Sequence, residues 1–99
     1  MSHAGEPSWT FITNHGHVLL CLAADSDLTV REVAHKVGIT ERAVIRIIGE
    51  LEQGDVIERA REGRRNHYTI NETAPLRHEL ERHRSVGDLI RLVAAAEQE

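Results

Sequence analysis

Residues 29–53, TVREVAHKVGITERAVIRIIGELEQ, decide the fold of this chain, because they have the pattern of two short helices joined by a tight turn. Thr29 and Glu32 have the T-x-x-E spacing in which two residues cap each other at a helix start. The first half of the stretch is therefore predicted to be a helix with one buried face. Apolar residues at the i, i+3, i+4, i+7 positions of that face are Val30, Val33, Ala34 and Val37.

The turn and the second helix follow from the residues after that face. Gly38 stands where a helix needs a left-handed terminating residue, and Thr40 can cap the next helix. Ala34 allows the two helices to cross closely. An ordinary helical hairpin in a bundle is the alternative interpretation. The core-facing residues of the second helix are Val44, Ile47, Ile48 and Leu51, and its outer face carries Arg42, Ile45, Arg46 and Gly49.

A β-hairpin is predicted directly after the second helix. Gly54 is placed to end that helix. VIERA (56–60) and HYTI (67–70) are two short runs of strand character. They are separated by residues 61–66, which contain a glycine and three arginines. The hairpin should therefore have a basic tip.

This order of elements resembles the winged-helix bacterial regulators of the MarR and ArsR kind. The phrases VGITERAVIRI (37–47) and LEQGDVIERAREGRRNHYTI (51–70) carry the resemblance, which runs from about residue 14 to residue 70. The resemblance implies a mainly α fold with a small β-hairpin, a winged helix-turn-helix followed by a C-terminal dimerisation helix. It also implies that the second helix enters the major groove of double-stranded DNA. The hairpin, or wing, would reach a minor groove or the adjoining phosphates.

The charge of the chain is unevenly distributed. Twelve basic and 16 acidic residues give the whole chain a formal net charge of -4, which is unusual for a protein that binds nucleic acid. However, residues 59–67 hold four arginines and one glutamate, whereas residues 1–30 contain no lysine or arginine. The local field rather than the net charge steers DNA to a surface. The predicted binding of DNA therefore depends on the local basic stretch 59–67 and not on the net charge of the chain.

Two sets of residues are predicted to hold DNA in different ways. Arg42 and Arg46 are one turn apart in the first half of the second helix, where they can reach guanine edges. Glu41 can accept a hydrogen bond from cytosine, and Thr40 can bind a phosphate. The wing residues are expected on phosphates or in the minor groove. The complete predicted set is Thr40, Glu41, Arg42, Ile45, Arg46, Arg61, Arg64, Arg65 and Asn66.

The N-terminal part of the chain is divided at residue 14. Residues 1–13 form a predicted arm, in which Trp9 and Phe11 are expected to plug the domain core or a subunit joint. A central helix is predicted to run to about Ala24, because the apolar run VLLCLA is too continuous for a surface helix. Leu28 can form a very short strand against the wing. The DNA-binding domain is assigned to residues 14–71.

Residues 72–99 are predicted to be a helical dimerisation segment. A short helix is expected from Pro75 to about His83, and a second capping box, Ser85 with Asp88, should start the last helix. The small winged domain has no obvious room for that helix, and the family resemblance implies a homodimer. The alternative is that the helix folds back on its own domain. The predicted interface residues are Val86, Leu89, Ile90 and Val93.

Other kinds of site have little support in the sequence. The seven histidines lack the three- or four-residue spacing of helix-borne zinc pairs, and Cys21 is a lone cysteine in an apolar run, so no metal or cofactor is expected. No nucleophile elbow, phosphate loop or paired-carboxylate motif occurs, which argues against an enzyme.

Double-stranded DNA is therefore the expected partner, and the chain is expected to be a transcriptional regulator. The alternative is a winged-helix module that binds other proteins without reading DNA. The absence of a signal-peptide pattern and of a long apolar stretch favours the cytoplasm. Whether a small effector binds is left open, as are the operator and the direction of regulation.

Overall fold

The computed structural model describes residues 8–97, and within them the fold is mainly helical with one hairpin. The two strands pair antiparallel, from Ile57 opposite Ile70 to Glu62 opposite Arg65. This architecture confirms the predicted winged helix-turn-helix. The elements in chain order are α1 (Asn14–Ala24), α2 (Val30–Val37), α3 (Glu41–Gln53), β1 (Ile57–Glu62), β2 (Arg65–Ile70) and α4 (Val86–Glu97).

The starts of α2 and α3 are fixed by the predicted caps. The Glu32 N–H donates to Thr29 Oγ1 at 3.1 Å, and the Thr29 N–H donates to Glu32 Oε1 at 2.9 Å. Each residue thus satisfies a backbone donor that the helix itself leaves free. At α3, the Ala43 N–H donates to Thr40 Oγ1 at 3.0 Å. Between them Gly38 has φ 86°, which is the left-handed conformation predicted for the turn.

Gly54 ends α3, as predicted. Its own φ is -86°, and the left-handed residue is the next one, Asp55, with φ 61°. The Val56 N–H donates to the Leu51 carbonyl at 2.9 Å, which closes the helix in the manner of a Schellman motif. The Asn71 side chain donates to the Asp55 carbonyl at 3.2 Å. A contact from beyond the wing therefore supports the strained residue.

The core is a single apolar cluster between the first three helices and the base of the wing. α1 is central, as predicted, and contributes Val18, Leu19 and Leu22. Cys21 of the same helix is only half-buried and packs at the edge of the cluster. The predicted inner face of α3 is buried in full, and its members are Val44 (0% exposed), Ile47 (1%), Ile48 (4%) and Leu51 (8%).

The wing has longer strands and a shorter tip than predicted. The strands include Arg61, Arg65 and Asn66, so only Gly63 and Arg64 form the connection. Gly63 has φ 63° at the first position of this two-residue turn, which is the conformation of a type II′ hairpin turn. Cross-strand pairing therefore extends almost to the end of the wing, and the six-residue tip was wrong.

Two short elements predicted from the sequence do not form. Residues 75–83 make successive turns rather than a helix, and Leu80 remains 79% exposed. Leu28 is half-buried against the core but belongs to no strand of the described chain. The described part of the chain therefore has four helices, because the short helix predicted near Pro75 does not form.

The last helix begins as predicted. Two of the four proposed interface residues pack in or against the core of their own chain. The Asp88 N–H donates to Ser85 Oγ at 3.1 Å and the Ser85 N–H donates to Asp88 Oδ2 at 2.9 Å, which confirms the second capping box. Val86 is only 3% exposed and belongs to the core of its own chain, and Ile90 packs against that core. The start of α4 thus folds back on its own domain, which corrects the assignment of Val86 to a subunit interface.

In the described part of the arm, residues 8–13, the two aromatic side chains do not enter the core. Trp9 is 65% exposed and Phe11 is 95% exposed, and their rings pack edge to face with centroids 5.1 Å apart. The prediction that they plug the domain core was therefore wrong. Their use in a subunit joint stays a prediction.

Candidate nucleic-acid interface

The outer face of α3 presents three long side chains in one patch. Arg42, Ile45 and Arg46 occupy the i, i+3 and i+4 positions and are all exposed. The buried residues Val44 and Ile47 lie on the opposite side of the same turns and hold the helix against α1 and α2. The residues that the sequence predicted for base contacts are therefore brought together on a helix whose position is fixed by packing.

The N-terminus of α3 adds polar groups to this patch. Glu41 and Thr40 are both exposed at the first turn. The Thr40 oxygen already accepts the capping hydrogen bond, but a hydroxyl also has a proton to donate. A phosphate at this helix end would also meet the free N–H groups of the first turn, which favour an anion.

Arg46 has neighbours that the sequence analysis missed. Its guanidinium donates to Glu50 at 3.3 Å, and the same Glu50 oxygen, Oε1, lies 2.6 Å from His15 Nε2 of α1. The hydrogen bond with His15, with the positive charge of Arg46 beside it, lowers the pKa of the Glu50 carboxyl from 4.5. The spacing of Arg46 and Glu50 could have signalled their pairing. The contribution of His15, 35 residues away, depends on the packing of α1 against α3.

The wing arginines have three different environments. Arg64 is exposed at the turn. Arg61 donates to the Gly63 carbonyl at 3.3 Å, and Arg65 donates to the Asp27 carbonyl at 3.3 Å. Asn66 is half-buried, which leaves it less available to a ligand than its neighbours. The predicted wing residues are therefore an exposed arginine at the turn, an arginine bonded within the wing, an arginine bonded to the loop between α1 and α2, and a half-buried asparagine.

The contacts that hold the wing against the rest of the domain include residues that the sequence did not indicate. His67 Nδ1 of β2 lies 3.3 Å from Asp27 Oδ1 and 3.4 Å from Ser26 Oγ, in the loop between α1 and α2. On the other strand, Arg59 lies 3.2 Å from Glu52 of α3. These contacts attach the base of the wing to the helices on two sides.

The described residues give little support for other kinds of functional site. Among the described residues there is no group of three or more histidine, cysteine or acidic side chains that could hold a metal ion. Burial raises the pKa of the half-buried Cys21 thiol from 9.0. In residues 8–97, no helix combines the length and apolar character needed to span a membrane.

Comparison with protein families identifies the same region as the geometry does. Residues 13–58 match the family model described as winged helix-turn-helix DNA-binding. This match covers α1 to α3 and the first residues of β1, and thus includes the whole outer face of α3. Comparison with curated proteins gives no match.

Solved structures with a similar fold include several MarR-family regulators. One is ZitR of Lactococcus lactis, a zinc-responsive MarR family member, with a TM-score of 0.56 and 19% identity over 94% of this chain. Another is a variant of MepR from a multidrug-resistant Staphylococcus aureus clinical isolate, with a TM-score of 0.57 and 25% identity over 88% of this chain. A third is the PcaV transcriptional regulator of Streptomyces coelicolor, with a TM-score of 0.56 and 18% identity over 95%.

The present chain is shorter than these proteins. It spans 58% of the ZitR chain, 61% of the MepR chain and 68% of the PcaV chain. The similarity is therefore a similarity of the fold and of its central motif. The chain therefore has a winged helix-turn-helix fold similar to that of these regulators, and its residues 13–58 match the winged helix-turn-helix DNA-binding family model.

Proposed function

We propose that the chain is a transcriptional regulator that reads double-stranded DNA with α3 in the major groove and the wing on a minor groove or its phosphates. The observation that carries this proposal is the exposed patch of Arg42, Ile45 and Arg46 on a helix whose other side is fully buried. A side chain can discriminate between bases only if its position relative to the groove is fixed. The packing of α3 meets that requirement.

The two arginines of α3 are assigned to guanine edges. A guanidinium can donate two parallel hydrogen bonds to the O6 and N7 acceptors of guanine. Arg42 and Arg46 project from successive turns, so they can reach base pairs at different positions along one groove. Arg46 must exchange its contact with Glu50 for the base, which costs little because the pair is exposed.

The wing is assigned mainly to affinity. Arg64, at the turn, can neutralise a phosphate without fixing a base. Arg61 can do the same when it releases the Gly63 carbonyl, whereas Arg65, beside the turn, donates to the Asp27 carbonyl and Asn66 is half-buried. Each phosphate contact should add to the dependence of binding on salt.

A homodimer is part of the proposal, with residues 14–71 binding DNA and the segment 72–99 joining subunits. After Val86 and Ile90 are assigned to the chain's own core, an apolar surface still remains. Phe11 and Leu89 line one groove of about 360 Å³, and Leu89 also lines a neighbouring groove with Leu92, which is 74% exposed. Exposed apolar surface of this kind is typical of an interface between proteins. We therefore place the subunit contact on the later turns of α4 and on the arm.

Two-fold symmetry would then set the form of the DNA site. The two copies of α3 would enter the major groove on one side of the duplex about one helical turn, roughly 34 Å, apart. A site with inverted half-sites at that spacing is expected. No small effector is assigned to the chain.

Retention on duplex DNA over a range of salt concentrations tests the proposed function. Binding should weaken steeply as salt rises, and one family of duplexes should be enriched from a random pool. A winged-helix module that binds only other proteins would show neither result. If duplex DNA is not retained at low salt, the proposed function is wrong.

Sedimentation tests the dimer separately. Leu92→Glu should give a mass of one chain, whereas Leu80→Glu, a matched exchange at a 79% exposed leucine outside α4, should keep the mass of two chains. If the wild type itself sediments as one chain at micromolar concentration, the dimer proposal fails.

A further inference from the structure

The outer face of α3 includes an apolar residue. Ile45 is 60% exposed and lies on the same exposed face as Arg42 and Arg46. Its side chain has no donor or acceptor, so it cannot take part in the hydrogen bonds proposed for the arginines. In the major groove, however, one base carries an apolar group, the C5 methyl of thymine.

Gly49 lies one turn after Ile45 on the same side of α3, and nothing in the described part of the chain requires a glycine there. Its φ is not in the left-handed region, and a Cβ built on it meets no atom within 4 Å. Glycine inside a helix is nevertheless less stable than alanine by roughly 0.5–1 kcal/mol. The structure therefore contains an unfavourable residue at a position with free space, and that space opens next to the apolar side chain of Ile45.

We propose that Ile45 is a specificity-determining residue that packs against the C5 methyl of a thymine, while Gly49 allows the wall of the groove to approach the helix at that point. This inference rests on the proposed DNA-binding function and names one contact within it. Arg42 and Arg46 are on the same exposed face, so the methyl contact falls beside the two guanidinium contacts. Ile45 thus selects thymine at one position of each half-site without a hydrogen bond.

The proposed contact involves the methyl group of the base and no hydrogen bond. It can therefore be tested by bases that differ in that methyl group. Deoxyuridine has the same donor and acceptor groups as thymidine and lacks only the methyl. 5-Methylcytosine carries the same methyl beside an amino donor instead of a carbonyl acceptor. Removing or moving this single group therefore separates the contact of Ile45 from every hydrogen bond at the interface.

The experiment begins with duplexes selected by the wild-type protein from a random pool. Each thymine of the selected site is replaced in turn by deoxyuridine. One position per half-site should lower the affinity of the wild type by about fourfold, which corresponds to one buried methyl group. Ile45→Ala should bind the thymine and deoxyuridine duplexes equally, whereas Leu80→Ala, which changes an exposed apolar side chain outside α3, should behave as the wild type.

The outcomes distinguish this inference from the function on which it rests. If no duplex family is selected, the proposed function fails. If a family is selected but no thymine is sensitive, or if the sensitivity persists in Ile45→Ala, the methyl contact is wrong while the function stands. If 5-methylcytosine at a selected cytosine raises affinity and no thymine is sensitive, the assignment to thymine is overturned.

Gly49→Ala tests the second half of the proposal by changing stability and binding in opposite directions. The melting temperature should rise by about 2–8 °C, because alanine favours the helix and meets no neighbour. The affinity for the selected duplex should fall by about fivefold or more, because the added methyl meets DNA at the point of close approach. Unchanged affinity would overturn the close approach, and a lower melting temperature would show that Gly49 has a role within the fold.

Discussion

α3 and the wing both carry exposed arginines, but they hold them in different ways. α3 is anchored by the buried side chains of Val44, Ile47, Ile48 and Leu51. The wing is a two-stranded ribbon in which β1 buries only Ile57 and β2 only Tyr68. A residue on α3 therefore has a fixed place relative to the core, whereas a residue near the turn of the wing is held mainly by strand pairing.

In the proposed function α3 supplies specificity and the wing supplies affinity, and this difference in anchoring fits that division. Base edges are distinguished within fractions of an ångström, which requires side chains on a rigid element. Phosphates carry the same charge in every sequence, so an arginine near them can contribute from a less constrained position. Asp27 contacts Arg65, next to the turn, and His67, in the middle of β2, whereas Arg64 lies at the turn itself.

The largest expected effect comes from loosening α3 itself. Ile47→Ala removes a side chain that is only 1% exposed and should lower the free energy of unfolding by about 2–5 kcal/mol. Ile45→Ala, on the other side of the same helix, should change it by less than about 0.5 kcal/mol. Urea unfolding followed by circular dichroism measures both. Similar losses for the two variants would contradict the assignment of inner and outer faces.

The next effect concerns the reading side chain. Arg46→Ala should weaken binding to the preferred duplex by about 1–3 kcal/mol and relax the preference at one base position of each half-site. Arg46→Lys keeps the charge but loses the two-pronged donor geometry, so most of the base preference should disappear while salt dependence is retained. Fluorescence anisotropy titrations provide the measurement. Full retention of base preference by Arg46→Lys would count against a guanine contact.

A smaller effect is expected from the wing. Arg64→Ala should weaken binding to all duplexes alike, and the slope of log affinity against log salt should become shallower by about 0.9 for each lost phosphate contact. Arg82→Ala, an exposed arginine between the wing and α4, serves as the charge-matched control. An identical salt slope for Arg64→Ala and the wild type would place Arg64 away from the phosphates.

The smallest effect is a dependence of stability on pH through the cap of α2. Hydrogen bonds from the Thr29 N–H and hydroxyl lower the pKa of the Glu32 carboxyl below its usual 4.5. A lowered folded-state pKa contributes stability that is present above the unfolded pKa and is lost as pH falls through the folded pKa. The wild type should therefore melt slightly higher than Glu32→Gln at pH 7.

This difference should vanish in acid, where the protonated carboxyl and the amide are alike. Thermal unfolding at pH 7 and near pH 3 makes the comparison, with Glu79→Gln as a control on the exposed segment before α4. A difference that stays constant with pH would show that the charge of Glu32 contributes nothing.

Local signals in the sequence were enough to predict the helix-turn-helix. Each cap depends on residues within a few positions of one another, as in the pairs Thr29 with Glu32 and Ser85 with Asp88. The inner face of α3 repeats at helical spacing and could be recognised without knowing its partners. The residues of the candidate interface on α3 followed from the same periodicity.

Features that depend on distant contacts could not be predicted. Asp55 adopts its left-handed conformation with support from Asn71, and the wing is held by Asp27, which is 40 residues from its partner His67. In residues 75–83 the leucine spacing suggested a helix, but Leu80 has no surface to pack against. The backbone turns instead, and the Leu76 N–H donates to the Arg84 carbonyl at 2.9 Å.

One ratio of affinities tests whether α3 determines the preferred DNA sequence while the wing contributes affinity for any DNA. The affinity for the selected duplex divided by the affinity for a scrambled duplex is measured at a single salt concentration for the wild type, Arg46→Ala and Arg64→Ala. We expect the ratio to fall roughly tenfold or more for Arg46→Ala and to stay at the wild-type value for Arg64→Ala, although both variants should bind more weakly. A ratio that falls equally for both variants, or only for Arg64→Ala, would contradict it.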